Sequence, residues 1–263
     1  MGKITFLGTG TSQGVPMIGC NCQVCTSEDP KDNRLRTSAL VEHNGLKILI
    51  DCGPDFRQQM LRHKITDLDA VILTHQHKDH TGGLDDIRAF NYFRKEAFPI
   101  YAEEIVQDSL KMEYSYAFAE YKYPGVPEYK LHTINEEPFS ITKALPDNST
   151  ATLEITPIRV YHYRLPILGF RIGNMAYITD GSSIPQSEFE KLKGVELFII
   201  NTVRKEKHIS HFSLPEALEI IKQVGAPRNC LTHISHQLGT YRELCKLLPK
   251  NVVPAYDQLV LEF

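Results

Sequence analysis

A chain of 263 residues with 42% hydrophobic side chains can bury a large core and sits at the upper end of single-domain size. Its 29 lysines and arginines against 32 aspartates and glutamates leave a formal charge of −3, which excludes a general electrostatic pull toward nucleic acid or anionic membrane and leaves open only a local basic pocket. No apolar run approaches the length of a membrane span, and Lys3-Ile4-Thr5-Phe6-Leu7 enters a strand pattern without a basic leader, so the expectation is a cytoplasmic protein with no membrane partner.

That first strand runs into Gly8-Thr9-Gly10-Thr11-Ser12-Gln13-Gly14, which lacks the Gly-Lys-Ser/Thr ending of a nucleotide-binding loop and reads as a tight loop bordering the active site. Cys20, Cys22 and Cys25 then place three thiols within six positions. Thiols at that density suit a structural zinc, with a disulfide or idle thiols as the other readings. Ser38-Ala39-Leu40-Val41-Glu42 and Leu46-Lys47-Ile48-Leu49-Ile50 flank Asn44-Gly45, a strong hairpin signal, and Asp51-Cys52-Gly53 ends the hairpin. A helix is expected from Pro54 to about Arg62, a strand over Ala70-Val71-Ile72-Leu73-Thr74, and a helix from about Gly83 to Arg94.

The stretch 92–150, rich in aromatics such as Tyr114, Tyr116, Phe118, Tyr121 and Tyr123, is expected to be an insertion bordering the active site. Beyond it, the strand-like Leu153 to Val160 leads to His162, and a hairpin over Gly169 to Ile178 leads to Asp180. Val195 to Ile200 reads as a buried strand. Ser213, Pro215 and Glu216 read as the cap, early proline and early acid of a helix reaching about Val224, and Asn229-Cys230-Leu231-Thr232 as a strand ending at His233. Cys52, Cys230 and Cys245 lie among apolar neighbours and read as core thiols. Strands in two groups with helices outside predict an α/β sandwich in one domain over 1–263.

The chemistry concentrates in His75-Gln76-His77-Lys78-Asp79-His80, three imidazoles and a carboxylate in six positions behind a buried strand. Imidazole nitrogen and carboxylate oxygen suit zinc, manganese and iron. On an extended strand end His75 and His77 project to one face, while Asp79 and His80 lie past it, where Gly82 and Gly83 let the chain turn, so one run can serve two ions.

This H-x-H-x-D-H spacing followed by Gly-Gly-Leu resembles the signature of the metallo-β-lactamase superfamily. The resemblance implies a four-layer αββα fold and three later ligands at strand ends, which fall on His162, Asp180 and His233. It places one divalent ion (zinc or manganese) on His75, His77 and His162 and a second on Asp79, His80 and His233, with Asp180 between them. With the loop Gly8 to Pro16, the cysteine triplet and Leu231-Thr232-His233-Ile234-Ser235-His236-Gln237, nearly the whole chain looks like the phosphoribosyl 1,2-cyclic phosphate phosphodiesterases of carbon-phosphorus lyase pathways. That likeness implies one structural zinc on Cys20, Cys22, Cys25 and His236. It also implies a catalytic histidine near the scissile phosphate at His211, with His208 the lesser candidate.

The function implied is hydrolysis of a small, cyclic phosphodiester, such as phosphoribosyl 1,2-cyclic phosphate, by metal-bound hydroxide. Asp79 orients the attacking water and His211 protonates the leaving oxygen. Arg164, Arg204, Lys205 and Lys207 are candidates for anchoring a further phosphate. The alternative is a nuclease of the same superfamily, either a ribonuclease Z type of tRNA 3′-end endonuclease or a DNA exonuclease. Against it, the candidate insertion is aromatic and of mixed charge where a tRNA arm is basic, so nucleic acid ranks behind a small phosphodiester as partner. Thioester hydrolysis of the glyoxalase II kind and a non-catalytic metal-stabilised binding module rank lower still. A homodimer is among the expectations, because relatives often form one.

Overall fold

A computed structural model describes residues 2–145 and 147–263. The strands are β1 (Lys3–Gly8), β2 (Ser38–His43), β3 (Leu46–Ile50), β4 (Ala70–Ile72), β5 (Phe98–Ala102), β6 (Tyr129–Thr133), β7 (Phe139–Ala144), β8 (Thr150–His162), β9 (Leu165–Ile172), β10 (Met175–Ile178), β11 (Leu197–Asn201), β12 (Arg228–Thr232), β13 (Val252–Pro254) and β14 (Val260–Glu262). The helices are α1 (Phe56–His63), α2 (Lys78–Thr81), α3 (Arg88–Arg94), α4 (Glu104–Glu113), α5 (Ser115–Phe118), α6 (Phe189–Leu192), α7 (Leu214–Val224) and α8 (Tyr241–Leu247).

Two seven-stranded sheets form, in the orders β14-β1-β2-β3-β4-β5-β6 and β13-β12-β11-β10-β9-β8-β7. Period-two alternation decides which way each side chain packs. Ile48 and Ile50 of β3 point with Ile4, Phe6, Phe170, Tyr177 and Ile199 into the core between the sheets. Leu49, Val71 and Ile100 point the other way, onto Phe56 and Met60 of α1 and Phe90 of α3. On the second sheet Ile178, Phe198 and Ile200 face outward under Leu214 and Ile221 of α7 and Leu244 of α8. Strands buried on both faces between helical layers make an α/β sandwich, as the pattern predicted, in the four-layer αββα form that the resemblance implied.

The Asn44-Gly45 turn has both residues at positive φ (51° and 79°), as a tight hairpin matched to strand twist requires. The helix at Ser213 is closed by a capping box with Glu216. Three expectations are corrected. The strand at Ala70 ends at Ile72: Leu73 still donates to the carbonyl of Tyr101 in β5 at 2.9 Å, but Thr74 leaves the ladder and donates its backbone N–H to Oδ1 of Asp51 at 2.9 Å. The chain does turn at Gly82 and Gly83, but with ordinary φ values of −66° and −97°, so the turn itself does not require glycine. What requires glycine at 83 is space, since a Cβ there would lie 2.1 Å from the carbonyl oxygen of Gly53. Cys245 is exposed on α8, whose buried face is carried by Leu244.

The stretch 92–150, of which 146 lies outside the described residues, supplies β5, β6 and β7 to the two sheets. Its helical part packs on the metal-run helix: Tyr114 donates to the carbonyl of Thr81 at 2.8 Å, and Glu113 pairs with Lys78. Among the described residues no helix is long and apolar enough to cross a membrane.

Candidate metal centre

The site lies where strands of both sheets end. His75 and His77 follow β4, Asp79 and His80 sit on α2, His162 closes β8, Asp180 follows β10 and His233 follows β12. Helix α2 is held against the end of β3 by backbone bonds from Cys52 N to His80 O (2.8 Å) and from Gly83 N to Cys52 O (2.9 Å). Asp51, Asp180 and His233 all have positive φ (61°, 56° and 53°), a costly conformation for side chains of this kind that recurs at functional sites.

Ligand atoms of Asp79, His80, Asp180 and His233 lie within 4.8 Å of one another, as do those of His162, Asp180 and His211. Asp180 is common to both groups. Its Oδ2 faces Nε2 of His80 at 3.1 Å and Nε2 of His233 at 3.2 Å, while its Oδ1 faces Nε2 of His211 at 3.1 Å. The rings of His75, His77 and His162 gather beside them, with centroids 4.6 Å apart for His75 and His77, 5.1 Å for His77 and His162, and 5.8 Å for His75 and His162.

Three of the rings are aimed by a bond on the outer nitrogen. His80 donates through Nδ1 to Asp51 (2.7 Å) and His162 through Nδ1 to the carbonyl of Asp180 (2.8 Å). Nδ1 of His75 faces Oγ1 of Thr74 at 2.9 Å, and that hydroxyl itself donates to Asp51. This is the pattern by which second partners orient metal-binding imidazoles. The inward atoms are short of well-aligned bonds: Nε2 of His75 and Nδ1 of His233 are buried without a hydrogen bond among the described residues, and Nε2 of His80 and of His233 face carboxylate oxygen without an aligned one. Orphaned buried nitrogens of this kind cost about 1–3 kcal/mol each, and a cation at their focus removes that cost. The donors therefore fit divalent metal.

The electrostatics agree. Burial, helped by His80, holds His75 well below the usual imidazole range, and burial lowers His77, which favours the neutral form of both rings. Burial alone would depress His80, but Asp180, Asp51 and Asp79 outweigh it and hold the ring well above its ordinary value. Burial works against ionisation of Asp79 and Asp180, yet His80 and His233 keep both carboxyls well below the usual carboxylate range. Burial pushes His211 down to about 4 despite its bond to Asp180. His208, the lesser candidate, stands behind His211 with ring centroids 4.9 Å apart.

A second cluster joins the N-terminal loop to the His233 loop. Ligand atoms of Cys20, Cys22, Cys25 and His236 lie within 4.8 Å of one another, and Nδ1 of His236 is 3.4 Å from the Cys20 sulfur and 3.3 Å from the Cys22 sulfur. All three cysteines are free thiols. The backbone N–H of Cys25 and the ring of His236 bring Cys22 down to about 6, while burial pushes Cys25 up to about 11. Ile234 donates its N–H to the carbonyl of Thr9 at 2.8 Å, so the glycine-rich loop braces the segment that carries both His233 and His236.

Of the basic candidates, Arg204 spends its guanidinium on the carbonyls of Glu206 and Lys207, at 3.3 and 2.7 Å. Arg164 is exposed beside His162, stacked over Tyr163 at 5.2 Å, and Lys205 and Lys207 are exposed. The sequence reading missed Asp51, the anchor of His80 and Thr74. The signal was available, because Asp51 directly follows a buried strand, as the histidine ligands do.

A family model described as a β-lactamase superfamily domain matches residues 47–234. The crystal structure of a diphosphatase from the PhnP family superposes with a TM-score of 0.89 at 38% identity, covering 100% of this chain and 98% of that one. An octanoyltransferase of Porphyromonas gingivalis is 44% identical over 260 residues, 98% of this chain and 51% of that protein, so the chain spans about half the length of that relative. Ribonuclease Z of Metallosphaera sedula is 23% identical over 304 residues, 97% of each chain.

Proposed function

The chain belongs to the β-lactamase superfamily and within it to the PhnP family, and from that membership we propose that this hydrolase is a binuclear metal-dependent phosphodiesterase acting on a small, cyclic phosphodiester such as phosphoribosyl 1,2-cyclic phosphate. The observation that carries the reading is Asp180, whose two oxygens face His80 and His233 on one side and His211 on the other. Octanoyl transfer, named for a protein about twice as long as the match, is no part of the proposal.

Two divalent cations, when bound, supply the charge that offsets the phosphoryl oxygens and acidify a water. His75, His77 and His162 would hold one ion and Asp79, His80 and His233 the other, with Asp180 shared. Asp51 and Thr74 keep the inward nitrogens of His80 and His75 in place, so little reorganisation is needed as the reaction proceeds. Asp79, held ionised, can also orient the attacking water through its carboxylate. His211 holds the proton for the leaving oxygen at Nε2. Its burial disfavours the charged ring, and an anionic phosphate beside Nε2 favours it, so the proton is taken up with the substrate. The third site, Cys20, Cys22, Cys25 and His236, would hold a structural zinc that ties the His233 loop to the N-terminal loop.

The nuclease reading is second, supported by the end-to-end likeness to ribonuclease Z. One assay separates them: turnover of bis(p-nitrophenyl) phosphate, a cyclic ribose phosphate, a 2′,3′-cyclic nucleotide, an organic diphosphate, precursor tRNA and single-stranded DNA by the metal-loaded protein. Preference for a cyclic ribose phosphate supports the proposal. Preference for precursor tRNA or DNA replaces it with the nuclease reading.

A further inference from the structure

Asp180 holds a left-handed backbone conformation (φ 56°), which a non-glycine residue keeps only where its surroundings over-determine it. Oγ1 of Thr179 donates to Oδ2 of Asp180 at 2.8 Å, which orients the carboxylate but not the chain. The chain is held one residue later. The side chain of Asn201 accepts the N–H of Gly181 at Oδ1 (2.7 Å) and donates through Nδ2 to the carbonyl of the same glycine (2.9 Å), and Asn201 is fully buried. The parallel ladder between β10 and β11 ends at Ile178 and Ile200, while β11 goes on to pair Asn201 with Thr232 of β12. Asn201 therefore keeps its backbone in the sheet and uses its side chain as a substitute strand for the segment that has just left it. Only an amide side chain offers the acceptor and the donor side by side.

Three residues of the metal centre meet at this glycine. The carbonyl of Asp180, in the peptide bond to Gly181, accepts Nδ1 of His162 at 2.8 Å. The N–H of Phe212, next to His211, donates to the carbonyl of Gly181 at 2.7 Å. A Cβ at 181 would lie 2.7 Å from the Phe212 ring and 2.8 Å from the Val160 side chain, so β8 and the His211 loop both close on it. We propose that Asn201 is a positioning residue for the metal centre: by gripping Gly181 it fixes the carboxylate of Asp180 between the two ion positions and sets His162 and His211 against it, a role that rests on the reading of Asp180 as the ligand shared by two ions. Asn201 acts through the backbone of Gly181, as an outer partner that holds a ligand in place.

The test compares Asn201→Ala and Asn201→Leu, the second close to asparagine in size so that little space opens, with Asn229→Ala. Asn229 is also a buried strand asparagine, but its Nδ2 holds the carbonyls of Ala226 and Asn251 (2.9 and 3.3 Å) at the end of β12 remote from His233. In protein whose cysteine site is filled with zinc, manganese affinity is read by chelator competition, and the ion pair by the exchange-coupled electron paramagnetic resonance signal of two manganese ions that share a ligand. Both Asn201 variants should bind manganese about 10- to 100-fold more weakly, the loss typical of a missing outer partner, and should lose the exchange signal at saturating metal. Asn229→Ala should lower Tm yet keep the affinity and the signal of the parent protein. If Asn201→Ala does not fold, Asn201→Leu decides. Affinity like that of the parent in a folded Asn201 variant overturns the proposal, and so does an equal loss in Asn229→Ala, because affinity would then follow stability alone. A parent protein that takes one manganese and gives no exchange signal overturns the shared-ligand reading instead, and the affinities still decide whether Asn201 positions the site.

Discussion

Nδ1 of His80 lies 2.7 Å from Oδ2 of Asp51, and neither side chain has any exposure to solvent. The same carboxylate accepts the backbone N–H of Thr74 at 2.9 Å and its hydroxyl at 3.1 and 2.9 Å. Asp51 touches no proposed metal position, yet it aims His80 directly and His75 through Thr74.

Replacing Asp51 with Asn keeps the size and an oxygen acceptor but removes the charge behind His80. Loss of such an outer partner typically lowers metal affinity by about 10- to 100-fold. Chelator competition on Asp51→Asn should show a loss of that order with the fold retained. Unchanged affinity would mean that His80 needs no orienting charge.

Without metal, His80 keeps a proton, because three carboxylates hold it well above its ordinary value. A value raised in the folded state stabilises the metal-free protein fully below the unfolded histidine value of about 6.5, and that contribution is lost as pH rises through the folded value. Metal must expel this proton, so affinity for the catalytic ions should rise with pH. Calorimetric zinc titrations of protein whose cysteine site is already filled, run at pH 7 in buffers of different ionisation enthalpy, should register proton release. Heats independent of the buffer would show His80 already neutral.

The thiol of Cys22, brought to about 6, is largely thiolate at neutral pH and ready to take zinc. Metal-free protein should be alkylated by iodoacetamide at this position first, and zinc should protect it. Cys22→Ser should lose one zinc per chain and several degrees of Tm, since the site joins the N-terminal loop to the His233 loop. Zinc content unchanged by the substitution would remove this cluster from the account of stability.

His211→Ala removes the group facing Oδ1 of Asp180 at 3.1 Å. General acid catalysis contributes about 10²- to 10⁴-fold, so the loss on a diester with an alkyl leaving group should fall in that range with metal content intact. The loss should be smaller on bis(p-nitrophenyl) phosphate. Equal losses would assign His211 to phosphate positioning.

The run from His75 to His80 is legible because four donors stand in six positions, and His162, Asp180 and His233 because the superfamily resemblance implies later ligands at strand ends, where these three stand. The hairpin at Asn44-Gly45 and the helix at Ser213 are legible from local chemistry, since turn and cap are decided by neighbours in sequence. Asp51 follows a buried strand too, but that position marks it only as a candidate, since its role is a bond to a ring 29 positions away. The need for glycine at 83 is hidden for the same reason, as its missing Cβ makes room for the carbonyl of Gly53, 30 positions away. Cys245 shows the limit of composition: apolar neighbours in sequence do not say which side of a short helix is buried.

The pairing of two ions across Asp180 is tested most directly by following turnover of bis(p-nitrophenyl) phosphate while zinc or manganese is added to protein whose cysteine site alone is filled. Activity should reach its full value only at about two further equivalents, and Asp180→Ala, deprived of the carboxylate common to both clusters, should stay inactive at every ratio. Full activity at a single equivalent, or near-normal turnover by Asp180→Ala, would contradict the binuclear reading.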